Sequence, residues 1–508
     1  MASIGPFVRA LATTAALFMV ASIARAQEDV SPTAEPSVSD APTVSERPVP
    51  EPGVDLRAVL RGDGRPMTAD RAAAVAVATA PSVDRARASV GAAREGALRA
   101  MHGFIPQLSL AASYTRLTNI RNGQVISPEL MPVIDEVEDP RARGLWTALA
   151  QTPFPIVLDH YSVAATLAVP VSDVFLEILP RWEAASGAVE AQQHRVRAVQ
   201  ADVAIAARTA FYDYARTRGA LAVARAALVQ AETREQQVSA FARVGTASQA
   251  DLLRARSHVA AAEVAVARAE GGVEMAATGL RTLLHQEGDA PIAVDEDVLA
   301  DLPPLETSRR ELVARALEQR PEAKALRRLM RARGAAVDAA AGSRFPNLVV
   351  SGTAQYANPS SRVFPQTDAW RFSANVNVLL EWSLHDVIDG ASVADEARAL
   401  QRLTRDDLRM LADAVRREVS EAHVAYRSAH RALEAARAGV EAAREANRVR
   451  MLEFRAGGAL VSDVIDASVD EVRADLDLVN AAIDARVAMA RLEHAVGEDD
   501  PALGETVR

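Results

Sequence analysis

Chemistry needs side chains that donate, accept or hold an ion, so the histidines, carboxylates and glycine-marked turns come first. The nine histidines are scattered, and none falls in an HExxH or other tight metal-ligand spacing. Gly62-Asp63-Gly64 lacks the further glycine of a dinucleotide loop, and neither a Walker A loop nor a GxSxG elbow occurs. His385-Asp386 follows a strand pattern and suits the start of a helix better than catalysis. Cysteine is absent, which excludes thiol nucleophiles, disulfides, Cys-ligated metals and a lipid-anchored N-terminal Cys. The expectation is a protein that is not an enzyme and carries no cofactor or metal. What remains is a set of carboxylates beside two glycines: Asp251 after Gly245, and Asp463 and Asp466 after Gly457. By residue type alone these favour the first turn of a helix, where the dipole stabilises an anion.

Composition narrows the elements that position them. The chain has 508 residues, with 57 basic and 67 acidic side chains for a net charge of -10 and no basic run, which argues against a nucleic-acid partner. Hydrophobic residues make up 49% but aromatics only 4%, and the alanine-rich remainder favours close-packed helices. Arg9, the apolar run Ala10 to Ala24 and Ala24-Arg25-Ala26 before Gln27 read as a cleaved secretory signal over 1–26. The rival, an uncleaved anchor, has an apolar run short of the ~20 residues a spanning helix needs. Residues 27–66 begin dense in Pro, Ser, Thr and Glu, a composition that cannot bury a core, and are expected to be a disordered leader.

The rest is a duplication. Pro81 and Pro321 are 240 residues apart, as are Pro106 and Pro346, each of the latter followed by x-Leu (Leu108, Leu348). Further on the offset becomes 212 and holds through Val203/Val415, Tyr214/Tyr426, Gly245/Gly457, Asp251/Asp463 and Leu280/Leu492. The difference, 240 minus 212, gives the first half 28 extra residues, which fall in the polar stretch between Leu117 and Asp159. The expected organisation is a first repeat over 67–290, a linker over 291–307, a second repeat over 308–497 and a tail over 498–508.

Each repeat reads helix, strand, loop, strand, very long helix, turn, helix. In one strand Trp370, Phe372, Ala374, Val376 and Val378 alternate with Arg371, Ser373, Asn375 and Asn377, and three other segments, starting near Leu108, Tyr161 and Leu348, alternate likewise. Such strands suit a bilayer, yet four cannot close a barrel, so several chains would have to share one. Proline-free helical patterns run from about Arg181 to Ala242 and from about Asp386 to Phe454, with a three-four apolar seam repeated in register. Shorter helices over about Thr68–His102, Ser248–Leu284, Ser308–Gly342 and Val461–Val496 are about half as long, so two end to end match one long helix.

On these residues the chain resembles the TolC-type outer-membrane factor family, from about Thr68 to Gly497. The resemblance implies a mostly α fold with transmembrane β-structure: a homotrimer in which four strands per protomer form a twelve-stranded outer-membrane barrel, continued by an α-helical barrel into the periplasm. It implies a passive exit duct of a tripartite efflux pump or type I secretion system, working with a periplasmic adaptor (membrane fusion protein) and an inner-membrane transporter. It places the tip turns Gly245 and Gly457 at the periplasmic entrance and makes Asp463 and Asp466 two carboxylate rings that filter by charge. Phe454 matches a gate aromatic. Ala459 stands where some members carry an arginine that bonds the equivalent of Asp251, with Arg243 or Arg455 as possible substitutes. The alternative is a soluble periplasmic coiled-coil adaptor or scaffold, in which the four strands would cover a soluble core.

Overall fold

The computed structural model describes residues 64–118, 130–151, 157–245, 247–364 and 366–498. The signal peptide, the leader up to residue 63 and the tail after residue 498 lie outside the described residues. In the first half, strand β1 (Arg65–Met67) precedes α1 (Ala69–Thr79), α2 (Pro81–His102) and β2 (Gln107–Arg116). The stretch carrying the 28 extra residues contributes α3 (Met131–Asp135) and α4 (Pro140–Gln151) before β3 (Asp159–Pro170). A short turn, α5 (Val171–Asp173), and a π-helical turn over Val174–Ile178 lead into α6 (Leu179–Arg243) and α7 (Gln249–Leu283). After β4 (Ile292–Val294) the second half repeats the order as α8 (Arg309–Gln319), α9 (Pro321–Gly342), β5 (Asn347–Asn358), β6 (Arg371–Glu381), α10 (Leu384–Arg455) and α11 (Val461–Val496).

The first helix of each half, expected as one piece, is two. Proline lacks an N–H and pushes the residue before it out of the α region. Ala80 accordingly sits at ψ 122° before Pro81, and Arg320 at ψ 131° before Pro321. The leader boundary at 66 also moves, because Arg65 and Pro66 are already in β1. That strand pairs in parallel with β4 inside the expected linker, Arg65 opposite Ile292 and Met67 opposite Val294. Met67 and Val294 are fully buried, as nearly are Ile292 and Val298, so apolar burial holds this part of the linker against the helices.

The four long strands form one antiparallel sheet in the order β2-β3-β5-β6. Because side chains alternate, the register decides which residues share a face. Leu108 opposes Leu167, Leu167 opposes Gly352 and Gly352 opposes Val376, so one face collects apolar residues from all four strands. At the loop end this face closes in an aromatic cluster: Tyr114 to Tyr161 at 5.0 Å, Tyr356 to Trp370 at 5.0 Å and Tyr161 to Trp370 at 6.1 Å between ring centroids. The other face is polar, with Ser113 bonded to Ser162 (2.8 Å) and Thr166 to Thr353 (3.1 Å). Among the described residues no core lies under the apolar face: Leu110 and Val376 are each more than three-quarters exposed, and Leu108, Phe372 and Val378 are exposed too. This disfavours the soluble alternative, which required those residues to be covered.

The helices form a layer of their own. Nearer the sheet, α2 packs on α6, α6 on α9 and α9 on α10; farther away, α7 packs on α6, α6 on α11 and α11 on α10. Two shorter helices thus lie along each long one. At ~1.5 Å per residue, the 65-residue α6 and 72-residue α10 extend on the order of 100 Å. One close approach fixes the second half on the first: a Cβ at Gly342 would collide with the Leu176 carbonyl oxygen in the π-helical turn. Gly342→Ala should therefore cost several kcal/mol, as overpacking against backbone does, read as a lower thermal midpoint.

Candidate functional site

Two regions of this strip could act on a solute: the helical tips and the polar face of the sheet. At the tips the chain reverses between α6 and α7 and between α10 and α11. Gly245 has φ +79° and Gly457 φ +81°. A Cβ at either would meet nothing within 4 Å, so glycine is needed there for its left-handed backbone and not for space.

The aspartates next to these turns have clear local duties. Asp251 closes a capping box on α7: its Oδ2 accepts from the Ser248 backbone N–H (3.1 Å) and hydroxyl (2.6 Å), while Ser248 Oγ accepts from the Asp251 N–H (3.1 Å). These side-chain and backbone bonds hold the Asp251 carboxyl below the ordinary carboxylate range. A group with a depressed folded pKa stabilises above its ordinary value and loses that contribution as pH falls through the depressed one. Ser248→Ala should cost about 1 kcal/mol at neutral pH, with the difference from wild type shrinking in acid, measured by thermal unfolding at several pH values. No ion pair joins Asp251 to Arg243 or Arg455 among the described residues.

Asp463, its counterpart in the second half, accepts the Leu460 backbone N–H (3.2 Å) through Oδ2. Asp466 lies one turn on and is exposed, as are Asp470 and Asp477 along the same face. Asp463, Asp466 and Asp470 line an open groove between α10 and α11 together with Arg450 and four alanines. The acidic face has no equivalent in α7, where the 212-residue offset places Arg254, His258 and Ala265 opposite Asp466, Asp470 and Asp477.

Phe454 faces the first half. Its ring meets Phe241 edge-on at 5.6 Å and 77°, beside the buried residues Val238, Leu252, Ala255 and Val461. Sequence spacing gave no role to Phe241, four residues before its glycine instead of three, yet the two rings pin one tip to the other. Above them Arg234 is only 7% exposed. It donates to the Ser468 hydroxyl on α11 and to Asn447 Oδ1 (3.5 Å) on α10, while Asn447 donates to Glu471. Burial, and then Arg234, depress the His258 pKa. The available sequence signal was a charge on a buried stripe, Ala231-Arg234-Val238.

On the sheet, the strands that carry the exposed apolar face are 10 to 12 residues long, enough for a tilted strand to cross a hydrocarbon core of ~30 Å. A second group of exposed aromatics, Phe104, Phe175, Phe345 and Trp382, stands at the helix end, so aromatics flank the apolar band on both sides as in outer-membrane strands. No helix among the described residues is long and apolar enough to cross a membrane.

Comparison with known proteins agrees with this geometry. Residues 73–285 match the outer membrane efflux protein family, and the second half repeats the same elements. The first half of the chain is thus similar to the outer membrane efflux proteins. Among solved structures, CusC superposes with a TM-score of 0.67 at 17% identity, over 84% of this chain and 92% of that one. The open state of the MtrE outer membrane channel of Neisseria gonorrhoeae gives 0.64 at 18% identity, over 92% and 98%. The CmeC outer membrane channel of Campylobacter jejuni gives 0.64 at 12%, over 84% and 85%. Curated proteins give no significant match.

Proposed function

We propose that the chain is one of three copies of an outer-membrane exit duct, passing solutes passively from the periplasm to the outside for an efflux pump or type I secretion system. The observation that carries this is a strip open on both flanks. In the sheet, β2 and β6 have unpaired edges. In the helical layer the open flanks are α2 and α7 on the first-half side and α10 on the second-half side. Each flank exposes apolar residues: Leu98, Met101, Leu253, Val264 and Met275 on one, and Val393, Leu400, Leu403 and Met410 on the other. Val393, Leu400, Leu403 and Met410 follow heptad spacing, the signature of a seam awaiting a partner helix. Joining the β6/α10 flank of one copy to the β2/α2/α7 flank of the next pairs every edge at once, and such a head-to-tail contact closes as a ring.

In that ring the apolar sheet face meets lipid and the polar face lines the exit. The tips at Gly245 and Gly457 form the periplasmic entrance, where an adaptor would dock and deliver cargo from an inner-membrane transporter. Asp463 and Asp466 repeat around the axis as carboxylate rings, and Asp470 and Asp477 extend their charge inward, so the entrance attracts cations and retards anions. Transport by this route needs no catalytic residue.

Planar-bilayer recording of the detergent-extracted protein under a salt gradient tests the reading. Cation-selective openings are expected, with Asp463→Ala plus Asp466→Ala shifting the reversal potential toward zero. Channels whose selectivity survives the double substitution would reject the entrance assignment. Folded protein that stays water-soluble and never conducts would reject the duct.

A further inference from the structure

Helix α4 is built the wrong way round for a water-exposed loop. At 100° per residue, Ala142, Leu145, Trp146 and Leu149 fall within one arc of about 100°. Gly144 and Thr147 lie opposite, and Arg141 and Arg143 stand one at each border of the apolar arc. Its three large apolar side chains are left uncovered: Leu145 is 62%, Trp146 48% and Leu149 41% exposed. Leu130 and Val133, just before and within α3, are exposed as well. The helix packs on α3, and the buried residues of that pair are Ile134 and Ala150. Arg143 is spent locally, its guanidinium donating to the Val137 carbonyl at 2.6 and 2.9 Å. Arg141 has no guanidinium partner among the described residues.

The position of α4 in the chain says what would cover it. It lies between β2 and β3, whose hairpin is continued past the sheet by Leu117 N–H donating to the Leu158 carbonyl (2.8 Å) and by the Arg116–Asp159 ion pair (3.2 Å). Next to that point, the apolar face of the sheet ends in Tyr114, Tyr161, Tyr356 and Trp370. Tyr and Trp in such a band mark the level of the lipid headgroups. The polar face at the same end offers Ser113, Thr115, His160 and Ser162, to which an arc of Leu and Trp has nothing to match.

We infer that α4 is an interfacial helix lying on the outer-leaflet lipid surface, with Leu145, Trp146 and Leu149 sunk to the acyl boundary and Arg141 among the headgroup anions. This rests on the reading of the sheet as membrane-spanning. It continues the lipid-facing surface of the barrel sideways, and it gives part of the 28 extra residues of the first half a function as a collar.

Tryptophan quenching tests the collar and its premise separately. The full protein is reconstituted in phosphatidylcholine vesicles carrying bromines on the acyl chains near the headgroup, and the emission lost to quenching is compared for wild type, Trp146→Phe and Trp370→Phe. Both substitutions should reduce the quenchable emission, since both rings sit at the interface. If Trp370→Phe reduces it and Trp146→Phe does not, the sheet is in the membrane and the collar is wrong. If neither does, the membrane-spanning sheet fails as well. Because the chain has no cysteine, Leu145→Cys gives a second readout without reliance on tryptophan. In vesicles its thiol should react several-fold more slowly with a membrane-impermeant maleimide than in detergent. Fast labelling in vesicles, or an oxidative cross-link between copies through this position, would place α4 in water or over the mouth and overturn the proposal.

Discussion

Glu296→Ala should lower the stability of the helical part by about 3–5 kcal/mol, the usual consequence of removing one partner from a buried ion pair. Glu296 belongs to the linker but sits inside the bundle. Its Oε1 accepts from the Tyr212 hydroxyl (3.0 Å) and from Arg486 Nη1 (3.1 Å), and its Oε2 from the Ala69 backbone N–H (3.2 Å) at the start of α1. Arg486 in turn donates to the carbonyls of Val298 (2.9 Å), Asp297 (2.6 Å) and Ala300 (3.4 Å). One carboxylate and one guanidinium therefore tie α1, α6, the linker and α11 together, with side chains only 21% and 12% exposed. Burial, and then the Glu296 charge and hydrogen bond, push the Tyr212 phenol well above its ordinary range, so it stays a donor at every physiological pH. Removing Glu296 leaves Arg486 charged among carbonyls and Tyr212 without an acceptor. Glu296→Gln keeps one oxygen acceptor, enough for Tyr212 or Ala69 but not for both, while losing the charge, and should cost less than the alanine substitution. Adding Arg486→Ala to Glu296→Ala should cost less than the sum of the two, because the pair fails as a unit. The measurement is thermal unfolding by circular dichroism in detergent; a shift in Glu296→Ala equivalent to under 1 kcal/mol would reduce the cluster to a surface contact.

What the sequence disclosed, and what it withheld, follows from how local each signal is. The long helices read to within about two residues because their seam repeats over many turns and a single misread position changes little. The strands were legible because Trp370 to Val378 keep strict alternation, and alternation is all a two-faced sheet requires. The breaks at Ala80 and Arg320 were marked by Pro81 and Pro321, but an alanine-rich pattern continuing past each proline hid them. The linker misled by composition: Asp295 to Glu306 is acidic and carries Pro303 and Pro304, yet Glu296 is inside because Arg486, almost two hundred residues later, supplies the opposite charge. That pairing has no local trace. The tips show the same limit. Gly245 and Gly457 stand out by type, whereas the contact of Phe241 with Phe454 depends on the relative rotation of α6 and α10, which spacing to a glycine does not fix.

Arg234 offers the sharpest test of how the two tips are joined. Its guanidinium is a polar link by which α6 holds both α10 and α11 near the tips, through Asn447 and Ser468. The 212-residue offset places Ala446 opposite it, so the duplication itself does not require it. Arg234→Met keeps most of the stem's packing but leaves the Ser468 hydroxyl without its buried donor and Glu471 without the nearby positive charge that offsets its own. Losing a buried charge partner costs about 3 kcal/mol or more, which at ~1.4 kcal/mol per factor of ten is about a hundredfold in a local opening equilibrium. Amide hydrogen exchange should therefore quicken by about that factor in the lower turns of α6, α7, α10 and α11, with the sheet unchanged, because opening is confined to one cooperative unit. Arg234→Lys should not restore protection, since one ammonium cannot span Ser468 and Asn447 as a planar fork does. Arg234→Met combined with Glu471→Gln should recover much of it, because the charge left behind accounts for most of the cost. If Arg234→Met exchanges at the wild-type rate throughout the tips, the apolar contact of Phe241 with Phe454 alone holds them together.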